Sequence, residues 1–134
     1  MRFCTELVEI RSHFDRVFDL FSDVSRLPEW AVEYCTAVRS VEGGFVVDSV
    51  EGERCIAVRS DRETGVADVC SGASHDRLDD ILYIRVIPAF ASFTFVQFLY
   101  APAGDVPAEV MKQMELGLKK EIAEAKRILE DSAL

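Results

Sequence analysis

The sequence predicts an α+β fold in which an antiparallel sheet is followed by one long terminal helix. Three observations carry that prediction. A strand-like segment opens the chain and runs into a capped amphipathic helix, six strand-like segments then follow with no helix between them, and a continuous helical seam comes last. A ferredoxin-like or cystatin-like sandwich is the rival architecture, but both place the long helix earlier or interleave it between strands.

Phe3 to Ile10 reads as the first strand. Its alternation puts Cys4, Val8 and Ile10 on one face with Glu6, and Phe3 and Leu7 on the other with Thr5 and Glu9. Glu6 is therefore out of pattern, and either lies near an exposed strand end or projects toward a polar part of a cavity. Ser12 is placed as the cap of the next helix, with Asp15 at N3 completing a relative of the capping box. Phe14, Val17, Phe18 and Phe21 recur at helical spacing and form its core face. Asp23 starts a second short helical turn, Pro28 suits a helix start or an elbow, and Trp30, the single tryptophan, packs that elbow or walls a pocket.

Strands are then expected at Tyr34 to Val41, Phe45 to Val50, Arg54 to Ser60, Val66 to Cys70, Ile81 to Ile87 and Phe93 to Tyr100. Gly43-Gly44, Glu51-Gly52-Glu53 and Asp61 to Gly65 supply the early turns, and Pro88-Ala89-Phe90-Ala91 joins the last two strands, making a consecutive antiparallel meander. The stretch Ser71 to Asp80 is the least apolar, and its Ser74-His75-Asp76 is read as a solvated turn rather than a metal or acid-base cluster. Pro107 opens a helix to about Asp131. Val110, Met114, Leu118, Ile122, Ala125 and Leu129 make its seam, with Lys112, Lys119, Lys120, Glu121 and Glu124 on the other faces. Gly117 within it costs roughly 1 kcal/mol relative to alanine, so either the position needs space, for close packing or for a bound molecule, or the helix merely tolerates the glycine.

A length of 134 residues, 49% of them apolar, suits a single domain spanning 1–134. A net charge of −9 opposes binding to nucleic acid or to an anionic membrane. No apolar run reaches the length of a membrane span, and Glu6 interrupts the opening before a signal-peptide core could form, so the expected location is cytoplasmic. Cys4, Cys35, Cys55 and Cys70 are scattered and form no C-x-x-C pair, so they are read as free thiols. With only His13 and His75 beside them, neither a metal site nor a cofactor is expected.

The run Ile10-Arg11-Ser12-His13-Phe14-Asp15-Arg16-Val17-Phe18-Asp19-Leu20-Phe21-Ser22-Asp23, followed by Leu27-Pro28-Glu29-Trp30, resembles the N-terminal signature of the SRPBCC superfamily, also called START-like or Bet v 1-like. That superfamily includes polyketide cyclase and lipid-transport relatives. The resemblance continues through Gly65-Val66-Ala67-Asp68, Arg85-Val86-Ile87-Pro88 and the terminal helix, and so covers nearly the whole chain. It implies a helix-grip fold: a curved antiparallel sheet wrapped around the long C-terminal helix, two short N-terminal helices closing one end, and an apolar cavity between sheet and helix.

The function expected from this frame is binding or carriage of a small hydrophobic molecule, a lipid, isoprenoid or aromatic polyketide-like compound. Each of the last two strands has one nearly pure apolar face and one that also carries polar groups. Taking the mixed faces as inward gives a ligand-binding set of Trp30, Tyr83, Arg85, Phe93, Phe95, Gln97, Met114 and Leu118, although the opposite strand phase is open. No catalytic residue is assigned. The enzymatic alternative is an aromatase or cyclase with Tyr83 or Tyr100 as acid, Arg85 or Arg59 steadying an enolate, and Glu6 or Asp48 as base. A third alternative is a protein-interaction module. The apolar strands Ile81 to Ile87 and Phe93 to Tyr100 further suggest a homodimer through the sheet.

Overall fold

The structure is a computed structural model that describes residues 2–90 and 92–131. Ala91, part of the expected link before the last strand, lies outside them. The chain enters as β1 (Cys4–Ile10), crosses through α1 (Phe14–Ser22), a 3-10 turn (Val24–Arg26) and α2 (Leu27–Trp30), and then runs as a meander. Its strands are β2 (Cys35–Val41), β3 (Gly44–Ser49), β4 (Gly52–Asp61), β5 (Val66–Gly72), β6 (Asp80–Phe90) and β7 (Phe93–Tyr100), followed by α3 (Ala108–Asp131). The strands form one antiparallel sheet in the order β1-β7-β6-β5-β4-β3-β2. The helical crossing thus carries the chain from one edge of the sheet to the other, and the meander returns it to pair β7 with β1. This is the expected α+β helix-grip arrangement.

The first helix corrects one expectation. His13, not Ser12, is its N-cap, its ring accepting the Asp15 N–H at 3.4 Å. Ser12 is buried instead, its hydroxyl accepting from the Arg16 guanidinium at 3.2 Å and its carbonyl accepting from the Thr94 hydroxyl at 2.9 Å. Asp23 caps the 3-10 turn as expected, its carboxylate accepting the Ser25 N–H at 3.0 Å. Pro28 sits in the first turn of α2, where the amide it lacks would have no partner in any case.

The apolar stripe of α1 packs onto the concave side of the sheet, with Val17, Phe18, Leu20 and Phe21 buried. Phe21 meets Trp30 at 5.0 Å between ring centroids and Phe98 at 5.7 Å, both edge-on, and Trp30 lies 5.5 Å from Phe98. This triad joins α1, α2 and β7, and edge-on rings of this kind add to the area they bury. Gly65 explains part of the motif Gly65-Val66-Ala67-Asp68: its φ is +72°, and a Cβ there would stand 2.0 Å from the Val86 carbonyl oxygen. Only glycine fits so close to β6.

Along α3 the buried residues are Met111, Leu118, Glu121, Ile122, Ala125 and Leu129. Two expectations change. Val110 is exposed, its place taken by Met111, and Glu121 faces inward rather than toward solvent. Glu6 also faces inward, where its carboxylate lies 3.9 Å from Lys119 of α3. It is therefore neither at a frayed strand end nor in the hollow described below.

Candidate functional site

Between α3, α2 and the sheet lies a hollow of about 330 Å³. The size falls at the lower end of the ~300–1,000 Å³ usual for small-molecule sites. Its inner wall comes from Leu27, Trp30, Val69, Leu82, Tyr100 and Leu118, and its rim from the exposed Glu33, Val50, Glu51 and Gln113. Gly117 is part of the lining, so the helix does leave space where the glycine interrupts it. A Cβ at that position would come no closer than 3.7 Å to Glu33, so the missing side chain opens the hollow rather than relieving a clash.

The polar groups of the lining are few and placed. Glu121 Oε2 accepts the backbone N–H of Glu33 at 3.2 Å and of Tyr34 at 3.1 Å. Burial pushes its carboxyl up to about 7 against those two hydrogen bonds, with the Glu33 charge adding to the rise. The Tyr100 hydroxyl donates to Asp80 at 2.7 Å, and burial, then that carboxylate, raise the phenol well above its ordinary value. Burial likewise raises the Tyr34 phenol. The indole Nε1 of Trp30 is buried with no hydrogen-bond partner among the described residues. An unpaired buried donor costs free energy that a hydrogen-bonding ligand can return.

Of the expected ligand-binding residues, Trp30, Met114 and Leu118 line this hollow. Tyr83, Arg85, Phe93, Phe95 and Gln97 do not. The strand phase is the opposite of the one taken: Ile84, Val86, Thr94, Val96 and Phe98 are buried on the concave side, while Tyr83, Phe95 and Gln97 are exposed on the convex one. The physical reason is ordinary. On β6 the face carrying Tyr83 and Arg85 is the one that solvent can satisfy, so the purer apolar face goes inward; on β7 the inward face also carries Thr94 and Tyr100, whose hydroxyls are satisfied by the Ser12 carbonyl and Asp80. Arg85 is held on the outside by Asp68 at 2.6 Å.

The groups named for a cyclase do not converge either. Tyr100 lines the hollow, but Tyr83 and Arg85 point away from it, Arg59 donates to the Cys70 sulfur at 3.1 Å, and the exposed Asp48 lies 3.4 Å from Arg39. His75 is engaged with the Phe45 carbonyl at 2.9 Å. What the sequence reading missed is Glu121, together with Tyr34, Ser71, Asp80 and Leu82. A signal existed for Glu121: it follows Leu118 by three residues and precedes Ala125 by four, which sets it within the apolar stripe.

No family model matches the chain, and no curated protein matches its sequence. Solved structures do. The Aha1 dimer from Colwellia psychrerythraea matches with a TM-score of 0.70 at 12% identity, covering 97% of this chain and 97% of that one. A START superfamily protein from Mycobacterium smegmatis matches with a TM-score of 0.64 at 12% identity, covering 98% of this chain and 99% of that one. The fold is START-like. The di-domain ARO/CYC BexL from the BE-7585A biosynthetic pathway has the same fold in part: TM-score 0.73, 18% identity, 95% of this chain and 46% of that one. At these identities the START-like likeness concerns the fold alone.

Proposed function

We propose that this START-like chain binds and carries a small, mostly apolar molecule in the hollow between α3 and the sheet, acting as one domain over 1–134. The observation that carries the reading is the apolar hollow itself, walled by Leu27, Trp30, Val69, Leu82 and Leu118 and opened where Gly117 interrupts α3. Four unpaired thiols, Cys4, Cys35, Cys55 and Cys70, support a cytoplasmic location for this activity.

The test is titration with an environment-sensitive apolar dye, followed by competition with isoprenoid alcohols and neutral aromatic polyketides. Saturable binding is expected, and Leu118→Trp, which fills the hollow, should weaken it at least about tenfold at an unchanged melting temperature. No saturable binding, or binding indifferent to that substitution, would overturn the reading.

Carriage is preferred to cyclase chemistry because, of the acid-base groups the sequence offered for it, only Tyr100 lines the hollow, its hydroxyl donating to Asp80, and Glu121 in the same lining is tied to two backbone amides. The cyclase reading keeps the support of BexL as a structural neighbour. A homodimer is proposed alongside carriage. The convex face exposes Leu7, Tyr83, Ile87, Phe95 and Leu99 on adjacent strands, with Leu99 opposite Tyr83 and Phe95 opposite Ile87, and the Colwellia neighbour is itself a dimer.

A further inference from the structure

We propose that the hollow selects its occupant by charge, taking an apolar molecule that ends in a protonated amine and turning away the matching carboxylate. The proposal rests on the carriage reading and adds to it the chemical class of the cargo. Among the side chains that line the hollow, Glu33, Glu51, Asp80 and Glu121 are acidic and none is basic. The two rim carboxylates already face cations, Lys120 at 3.2 Å from Glu33 and Arg54 at 3.8 Å from Glu51. The two inner ones do not. Asp80 accepts the Tyr100 hydroxyl, and Glu121 accepts two backbone N–H groups, both on Oε2.

Glu121 is only 4% exposed, and among the described residues its Oε1 takes no hydrogen bond. A carboxylate buried without a counter-ion is costly, and a ligand ammonium group supplies the missing partner with charge-assisted hydrogen bonds. A ligand carboxylate would instead meet like charge.

The groups facing Glu121 make the effect depend on pH. Glu33, Tyr34 and Cys35 approach from the α2–β2 junction, and Asp80, Tyr100 and the rim Glu51 line the same hollow from the sheet side. On α3 itself, Lys119 is drawn to Glu6 and Glu115, and Lys120 to Glu33. With no fixed cation in the lining, Glu121 is the titrating partner near neutrality, and a bound ammonium draws it to the ionised form. Amine affinity therefore rises with pH across that range, while the affinity of a neutral ligand stays flat or falls.

Trp30 is the only tryptophan and lines the hollow, so intrinsic fluorescence reports occupancy. The full chain is titrated with n-decylamine, n-decanol and decanoate, each below its micelle concentration, at about pH 6 and about pH 8. At the higher pH the amine is expected to bind about tenfold more tightly than the alcohol, and decanoate about tenfold more weakly, the size of one charge interaction in a partly buried site. At the lower pH the amine's advantage shrinks. Glu121→Gln should bring amine and alcohol within about threefold of each other. If that variant does not fold, Asp80→Asn and the wild-type pH profile carry the same test.

Decanoate binding as tightly as decylamine, an amine preference that survives both substitutions, or amine that decanol fails to displace would each overturn charge selection and leave carriage standing. Saturable binding by none of the three probes would overturn carriage, and charge selection with it.

Discussion

Glu121 of α3 accepts the backbone N–H of Tyr34 at 3.1 Å, fastening the last helix to the residue that leads into β2. The bond is local in space and remote in sequence. It shares the Tyr34 amide with the Ala31 carbonyl, which also accepts it at 3.1 Å, and it ties one wall of the hollow to the other. The same carboxyl carries the pH dependence that falls nearest neutrality.

In the folded chain Glu121 is pushed up to about 7, against an ordinary value of 4.5. A raised carboxyl binds its proton more tightly folded than unfolded, so the stability it contributes is full at low pH and is lost as pH rises through about 4.5 to 7. The loss is on the order of 3 kcal/mol at most. Urea unfolding of wild type and Glu121→Gln at about pH 5 and about pH 8 measures it. Glutamine keeps an acceptor for the two N–H groups and cannot ionise, so the difference between the two proteins should grow in favour of the variant at the higher pH.

Gly117→Ala is expected to stabilise the fold by roughly 0.5–1 kcal/mol, because alanine is the better helix former. The nearest atom to the added methyl, Glu33 Cβ at 3.7 Å, is at ordinary contact distance. The same methyl narrows the hollow, so ligand affinity should fall while the melting temperature rises. Thermal unfolding and dye titration on one preparation check both directions.

Asp68 bridges β5 and β6 with one carboxylate oxygen, accepting the Ile84 N–H at 3.1 Å and the Arg85 guanidinium at 2.6 Å. Asp68→Ala leaves a buried amide unpaired and should cost about 1–3 kcal/mol in urea unfolding. Asp68→Asn, which retains an acceptor for Ile84, should recover part of that loss.

For the convex face, sedimentation velocity at micromolar concentration should show a dimer that Phe95→Lys or Leu99→Lys dissociates without loss of folded structure. Val96 and Phe98 on the same strand are buried on the concave side and do not test this face. A monomeric coefficient unchanged by concentration would rule the dimer out.

The sequence by itself determined the element order, the meander and the terminal helix, while the space at Gly117 was settled by the fold. The first three are written in local signals: period-2 alternation, turn glycines, Asp23 and Pro28 at helix starts, and apolar spacing of three and four along α3. It also placed Trp30, Met114 and Leu118 on the hollow, since one lies at the elbow and two lie on the seam. Which face of β6 and β7 turns inward was decided only by tertiary packing. Alternation fixes which side chains travel together, but either set could have covered α1 and α3 until the aromatic contact of Phe98 with Phe21 and Trp30 chose. The inward turn of Glu121 was decided in the same way. Its spacing allowed it, but the two backbone amides that make burial of a carboxyl tolerable lie 87 and 88 residues earlier in the chain, and only folding brings them to it.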